Sequence, residues 1–510
     1  MSQLTAICVL TFALIIQSHC RAADCGNDSG RSVRRDFLAD VLNARRIIAK
    51  AADRVGGVDK LGAIKRLRVM NTGFISNALQ EYDPGQVDNP QTRRAFTRLL
   101  ELDFSNHQYR RVASLRFDGA TLHFTDTSNA DRVSTASSDT HTIWTRDGTE
   151  DSFVDPLLRY IPALLILRAT EARAAAIWAG EECLSGSKVD LIDFSWNDKT
   201  RFRLSIGSDS RQVLRLQGVL PNPLVGDNIV SYEFIGNMIV GGISFPTHTV
   251  YSQHGVPFTD IATTRVEVNP IFAEGIFDRP RDYAEVPPAS LAHAIGDGVY
   301  ELSTGGGPDN YVHFFDLGDC VAVFDAPDSA DAAHEVSVEV RRVLGDKPIR
   351  YVVISHFHDD HAAGVGYYVE IGARIVTTRD NAVVLTRYAH ALSMLAGKPA
   401  STTKSPTFLF VDGDSLGIPG TDGKSITVYR FNNLPHVKSM LVAYYPSDKT
   451  IANSDLYGEF APFDTNSLLF ARWLRSSAAP KIDWIVGGHH RRISEASFQS
   501  HAATFKESAE

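Results

Sequence analysis

A chain of 510 residues with 44% hydrophobic and 22% charged content is an ordinary globular polypeptide, long for a single core, so two domains are expected. Its net charge of -9 speaks against a nucleic-acid binder, and the basic clusters Arg31–Arg35 and Arg45-Arg46 read as solvated helix faces.

The chain begins with an apolar run, Leu4 to Ile16 (LTAICVLTFALII), too short to span a bilayer comfortably. Gln17 to Ala23 follows it and includes small residues suited to a cleavage site, so residues 1–22 read as a secretory signal peptide and the mature chain as secreted or periplasmic, with no stable membrane span. No Lys or Arg precedes the run and Arg21 follows it, which leaves an uncleaved N-terminal anchor or a plain buried helix as the alternatives. Cleavage near Ala22 leaves Cys25, Cys183 and Cys320, scattered thiols that form neither a disulfide framework nor a metal knuckle; at most one bridge is open to them and none is expected.

Asp36 to Ala52 has helical periodicity, and Gly56-Gly57 turns into a second helix over Val58 to Leu67. From Val69 to Phe124 the pattern is strand-like, as in RAFTRLLELDF and YRRVASLRF. Pro156 opens an apolar helical stretch, Leu157 to Ala179. Regular strands follow (KVDLIDFSW, RFRLSIG, QVLRLQGVL, IVSYEFIGNM, FPTHTVYSQ), punctuated by Gly207-Ser208, Pro221-Asn222 and Gly241-Gly242. Residues 30–285 are therefore expected to form a β-rich antiparallel-sheet domain with helices. Helix, Gly-Gly, helix and then strands ending in Gly-Ile-Ser-Phe-Pro resembles periplasmic lipoprotein-carrier domains over Asp36 to Pro270. That resemblance implies a curved sheet holding a helix, with an apolar concavity. Leu157 to Ala179 is too apolar for a free surface helix and must bury against the strands, and this domain is expected to help bind an apolar part of a small-molecule substrate.

Pro287-Pro288-Ala289-Ser290 reads as a linker, beyond which strands alternate with helices. VYELS, YVHFFDLG and CVAVFDAP are strands, Ser329 to Leu344 is helical, and IRYVVIS is a buried strand; ARIVTTR, SITVYRF, MLVAYYP and TIANSDLY continue the series. A layered domain of both element types over residues 290–510 is the expectation, and α+β is the class of the whole chain. The triple glycine Gly305-Gly306-Gly307 reads as a hairpin turn, since no helix start follows it.

The chemistry is concentrated in His356, His358, Asp360 and His361, spaced H-x-H-x-D-H at the end of an apolar strand. Residues two apart on an extended chain project to one side, so His356 and His358 can share a cation. A turn into a helix would aim Asp360 and His361 at a second one. Imidazole nitrogen with carboxylate oxygen suits zinc.

These residues, with Asp325 in CVAVFDAP, His436 in PHVKSM, Asp455 in ANSDLY and His489 in VGGHH, resemble the metallo-β-lactamase superfamily in its glyoxalase II-like dinuclear form, over Ala294 to Arg492. The resemblance implies an αββα sandwich with two divalent metal ions, zinc, at one edge between the sheets. It implies that His356, His358 and His436 bind the first metal, that Asp360, His361 and His489 bind the second, and that Asp455 bridges. Asp325 would fix the histidine loop rather than ligate. Ser454 and His490 stand where relatives often carry Gly, and His490 is a rival to His489 for the last ligand position. The implied activity is metal-dependent hydrolysis, a metal-bound hydroxide cleaving an ester, lactone, thioester, amide or β-lactam bond, with Asp360 orienting the nucleophile and relaying its proton. Two alternatives stay open: a mononuclear iron dioxygenase of the same superfamily, and an apolar-ligand carrier whose metal domain is scaffold.

Overall fold

The computed structural model describes residues 36–504, apart from 77, 118–119, 130–131, 148–156, 172–174, 197–199, 223, 287–289, 305–309, 327–328, 392–401 and 459–462. The apolar run Leu4 to Ile16, the cleavage site near Ala22, most of the linker at Pro287-Pro288 and the triple glycine at Gly305 lie outside the described residues.

The first half is built on a fourteen-stranded sheet. Strands from Arg66–Ile75 to Thr142–Asp147 form one antiparallel meander, and strands from Ile177–Leu184 to Val256–Val268 form another. The two are joined where Arg66–Ile75 pairs antiparallel with Val256–Val268. Period-two alternation sends Leu67 and Val69, Leu100 and Leu102, Ile192 and Phe194, and Phe202, Leu204 and Ile206 to a single face. There they meet the helices Phe37–Val55 and Pro162–Thr170. The longer helix is capped by the Asp36 carboxylate, which accepts the amides of Leu38 and Ala39, and it buries Ala44, Ile47, Ile48, Ala51, Ala52 and Val55 along one stripe. The α+β class and the β-rich first half are as expected.

Two local readings of the sequence need correction. The apolar stretch Leu157 to Ala179 is not one helix. Pro162, which lacks an N–H and sits at the first turn, starts a helix that ends at Thr170, and Ile177–Leu184 is an edge strand. Ser185 and Gly186, with φ of 48° and 80°, close a tight hairpin that pairs Leu184 with Ser187 and draws this strand into the sheet. The second helix likewise stops at Gly62, because Arg66 already belongs to a strand that pairs with Asp103. Cys183 is disulfide-bonded, where the spacing suggested no bridge, whereas Cys320 is a buried free thiol.

The second half is a sandwich of a seven-stranded sheet (from His293–Gly296 to Thr407–Phe410) and a six-stranded sheet (from Ser415–Pro419 to His490–Ser494). Phe315, Ala322, Phe324, Val353, Val428, Leu441, Ala443, Tyr445 and Val486 fill the space between the sheets. Opposite faces of the same strands carry the helices. Tyr429 and Phe431 pack on Trp473 and Phe470 of the helix Thr465–Leu474, while Ile426 and Val428 point inward. Ala330–Leu344 and Val365–Glu370 cover the outer face of the first sheet. This is the αββα layering expected. Among the described residues no helix is long and apolar enough to cross a membrane.

Candidate metal centre

The parallel strand Ile349–Val353 ends in a loop that carries His356 and His358, and the one-turn helix Asp359–Ala362 carries Asp360 and His361. His436 precedes the strand Ser439–Tyr445, Asp455 follows Thr450–Asn453, and His489 lies in the turn between Trp484–Gly487 and His490–Ser494. Both sheets thus deliver side chains to one edge of the sandwich. His356 and His358 are fully buried, and His361 and His436 nearly so, while Asp360 and His489 form the more open side.

Two donor groups share one carboxylate. His356, His358, His436 and Asp455 form the first, and Asp360, His361, His489 and Asp455 the second; within each group the donor atoms lie within 4.8 Å of one another. Oδ2 of Asp455 is 2.9 Å from His436 Nε2 and 3.7 Å from His356 Nε2. Its Oδ1 is 2.8 Å from His361 Nε2 and 3.2 Å from His489 Nε2. Oδ2 of Asp360 stands 3.5 Å from the same two nitrogens.

The outer nitrogens explain which way the rings face. Ser355 Oγ donates to Asp325 Oδ2 at 3.0 Å and so accepts from His356 Nδ1, also at 3.0 Å. His358 Nε2 donates to the Glu81 carbonyl at 2.8 Å, and His361 Nδ1 donates to Asp325 Oδ2 at 3.0 Å. Each outer nitrogen is committed as a donor, which leaves His356 Nε2 and His358 Nδ1 as lone pairs turned into the cluster, with His361 Nε2 joining them once that ring gives up its inner proton. His356 Nε2 is buried there with no hydrogen-bond partner. Buried inward lone pairs beside carboxylates are the donor set a divalent cation needs, so the residues fit a metal.

The electrostatics agree. Burial and the neighbouring imidazoles push His356 well below the usual histidine range, and burial with His436 pushes His358 down to about 3. His361 is held well above its usual range: burial opposes its charge, but Asp455, Asp360 and Asp325 outweigh it. Asp360 and Asp455 lie well below the carboxylate range, burial being overcome chiefly by His361, with His489 also bearing on both. Neutral His356 and His358 beside ionised carboxylates is the protonation state that ligation requires.

Asp325 sits at φ 64°, a left-handed conformation that aspartate tolerates better than most residues. From there Oδ1 accepts the Ser355 amide at 2.7 Å while Oδ2 takes the Ser355 hydroxyl and the His361 ring. Ser454 Oγ approaches His361 Nδ1 to 2.9 Å and donates to Asp455 Oδ1 at 3.1 Å, so it braces both side chains. Gly488 makes room for the cluster, since a Cβ there would come within 3.1 Å of His361 Cε1. His490 is turned away: Asn453 Nδ2 lies 2.8 Å from its Nε2, and its Nδ1 donates to the Arg491 carbonyl. Asp359 accepts from Gln80 Nε2 at 2.5 Å. Gln80 and Glu81 escaped the sequence reading, and Ser355, which opens SHFHDDH, was given no role in it. Ser355 adjoins the motif, but nothing in the sequence connects Gln80 or Glu81 to it.

Comparison with known proteins follows the same lines. The family model described as the metallo-beta-lactamase superfamily matches residues 305–489. Similar solved structures include a metallo-beta-lactamase from Pontibacter korlensis (16% identity, TM-score 0.33, covering 42% of this chain and 100% of that one). TMB-1 is another (16% identity, TM-score 0.31, covering 43% and 98%). No curated protein matches the chain. Residues 305–489, the stretch that matches the metallo-beta-lactamase superfamily model, hold every member of both donor groups.

Proposed function

We propose that this protein is a hydrolase working with two divalent cations, zinc by donor chemistry, on a small molecule with an ester, lactone, thioester, amide or β-lactam bond. The observation that carries the reading is the pair of donor groups sharing Asp455, with imidazole lone pairs turned inward by outward hydrogen bonds. His356, His358 and His436 would hold one cation, Asp360, His361 and His489 the other, and Asp455 would span them through its two oxygens. Bound cations in such a site supply a water of near-neutral pKa and polarise the bond under attack. Asp360, the most exposed carboxylate of the set, would orient the attacking water and take its proton at Oδ2. The substrate would enter from the Asp360–His489 side, because the His356–His358 side is closed by protein.

A secreted or periplasmic setting is part of the same proposal. The Cys183 disulfide supports it, since such bonds persist in oxidising compartments.

The deciding experiment is elemental analysis of the purified chain joined to a hydrolysis screen across the five bond classes. The expectation is close to two metal ions per chain and turnover of one class that is lost to chelator and restored by zinc. A chain that binds no divalent metal, or metal-loaded protein inert towards all five, would overturn the reading.

A further inference from the structure

The segment Leu79–Thr92 lies between the strands Arg66–Ile75 and Arg94–Asp103 of the first half, yet its contacts are at the metal centre. The Glu81 carbonyl accepts the His358 Nε2 proton from 277 positions away. Next to it, Gln80 Nε2 donates to Asp359 Oδ1 at 2.5 Å and to Asp360 Oδ1 at 2.9 Å. The Tyr82 carbonyl accepts the Lys438 amide, and Asp83 pairs with the Lys438 ammonium at 3.0 Å, two residues beyond His436. Val87 is buried in the core of the second half.

The segment is held shut by Glu81 itself. Its fully buried carboxylate accepts from the Gln91 amide at 3.2 Å, the Thr92 amide at 3.1 Å and the Thr92 hydroxyl at 3.0 Å. One residue therefore closes the loop with its side chain and orients a histidine with its backbone.

We infer that Leu79–Thr92 is a working part of the metal centre, with Gln80 and Glu81 as positioning residues. The inference rests on the metallo-hydrolase reading above. The Glu81 carbonyl commits the outer nitrogen of His358 as donor, so Nδ1 faces the cluster as a lone pair without the ring having to be reoriented on binding. Gln80 occupies Oδ1 of Asp360 and so turns Oδ2 towards His361 and His489. One short stretch of the first half thereby bears on one member of each donor group. A segment that only fastened the two halves together would add stability and leave metal affinity unchanged.

The test uses the full chain and zinc in competition with a chromophoric chelator, comparing wild type with Gln80→Leu, Glu81→Ala and Glu81→Gln. Arg387→Ala serves as control, because it breaks the 2.7 Å pair with Asp88 in the same segment while leaving the Gln80 and Glu81 contacts to Asp360 and His358 in place. Zinc affinity is expected to fall about tenfold in Gln80→Leu and ten- to a hundredfold in Glu81→Ala. Glu81→Gln should recover part of the loss, and Arg387→Ala should match wild type. As a second readout, imidazole nitrogen NMR of the zinc-loaded protein should show His358 protonated at Nε2 and shielded from exchange in wild type, with that protection lost in Glu81→Ala. Unchanged affinity and an unchanged His358 signal in folded variants would overturn the inference while leaving the hydrolase proposal standing. If Glu81→Ala does not fold, Gln80→Leu with wild-type affinity overturns it alone. Wild-type protein that takes up no zinc would instead bring down the metallo-hydrolase reading, and this inference with it.

Discussion

Oδ2 of Asp325 lies 3.0 Å from Nδ1 of His361, and this contact decides which nitrogen of that ring faces the donor cluster. Asp325→Asn keeps the size and tolerates the left-handed backbone, but it can present an NH2 group where the carboxylate accepted a proton. The ring would then carry its proton on Nε2, pointing at Asp455 and Asp360. Weakening of the second cation by ten- to a hundredfold is expected, with little change in melting temperature. Chelator competition beside a thermal melt checks this. Two metals bound with wild-type affinity would show that Asp325 does not set the tautomer.

His356 and His490 are both fully buried histidines near this edge, and they should behave oppositely. His356→Ala removes an inward lone pair and should leave the first group too few donors to keep its cation. His490→Ala should keep the metal stoichiometry and cost about 1–3 kcal/mol of stability, because Asn453 Nδ2 loses its acceptor in a buried place. Elemental analysis of the two variants separates them; metal lost from His490→Ala and retained in His356→Ala would reverse the assignment.

Asp455 is the one residue common to both donor groups. Asp455→Asn retains the outline and removes the negative charge that keeps the two groups together. The second cation should go first, since two of its three remaining donors, Asp360 and His489, are the more exposed. A fall from about two ions to about one, with the fold intact by circular dichroism, is the expected outcome. A dinuclear, fully active Asp455→Asn protein would refute the bridging role.

The residues of the candidate site could be picked out of the sequence because they sit in short motifs at strand ends, where spacing alone puts His356 beside His358. The choice between His489 and His490 was not legible. Adjacent residues point to opposite sides, and only the turn after Gly487 decides which one meets Asp455. Gln80 and Glu81 were invisible for a different reason: their contacts with the centre cross nearly the whole domain boundary read from the sequence, and a backbone carbonyl leaves no signature in residue identity. The β-rich first half was readable from alternating strands such as RFRLSIG. Leu157 to Ala179 misled because apolar content does not distinguish a buried helix from a strand at the sheet edge.

A last prediction concerns stability rather than chemistry. Asp316 ends a strand of the seven-stranded sheet and accepts from the Lys347 ammonium at 2.6 Å, the Lys424 ammonium at 2.7 Å and the Gly318 amide at 3.1 Å. Lys424 directly precedes the strand Ser425–Asn432 of the other sheet, so this carboxylate ties the two layers together. Burial acts to raise the Asp316 pKa, but the two ammonium groups and the amide prevail and hold it below the ordinary value of 3.8. A carboxyl depressed in the folded state binds protons more readily when unfolded. Its contribution is therefore complete above the unfolded pKa and lost as pH falls through the folded one. Asp316→Asn removes that contribution at every pH. The expected cost near neutrality is about 1–2 kcal/mol, the partly exposed lysines keeping it below that of a sealed ion pair. The gap in melting temperature between variant and wild type should be full at about pH 6–7 and close progressively below about pH 4. Paired thermal melts across that range provide the check. A gap that stays constant into acid, or is absent at neutral pH, would mean that the Asp316 charge does not hold the two sheets together.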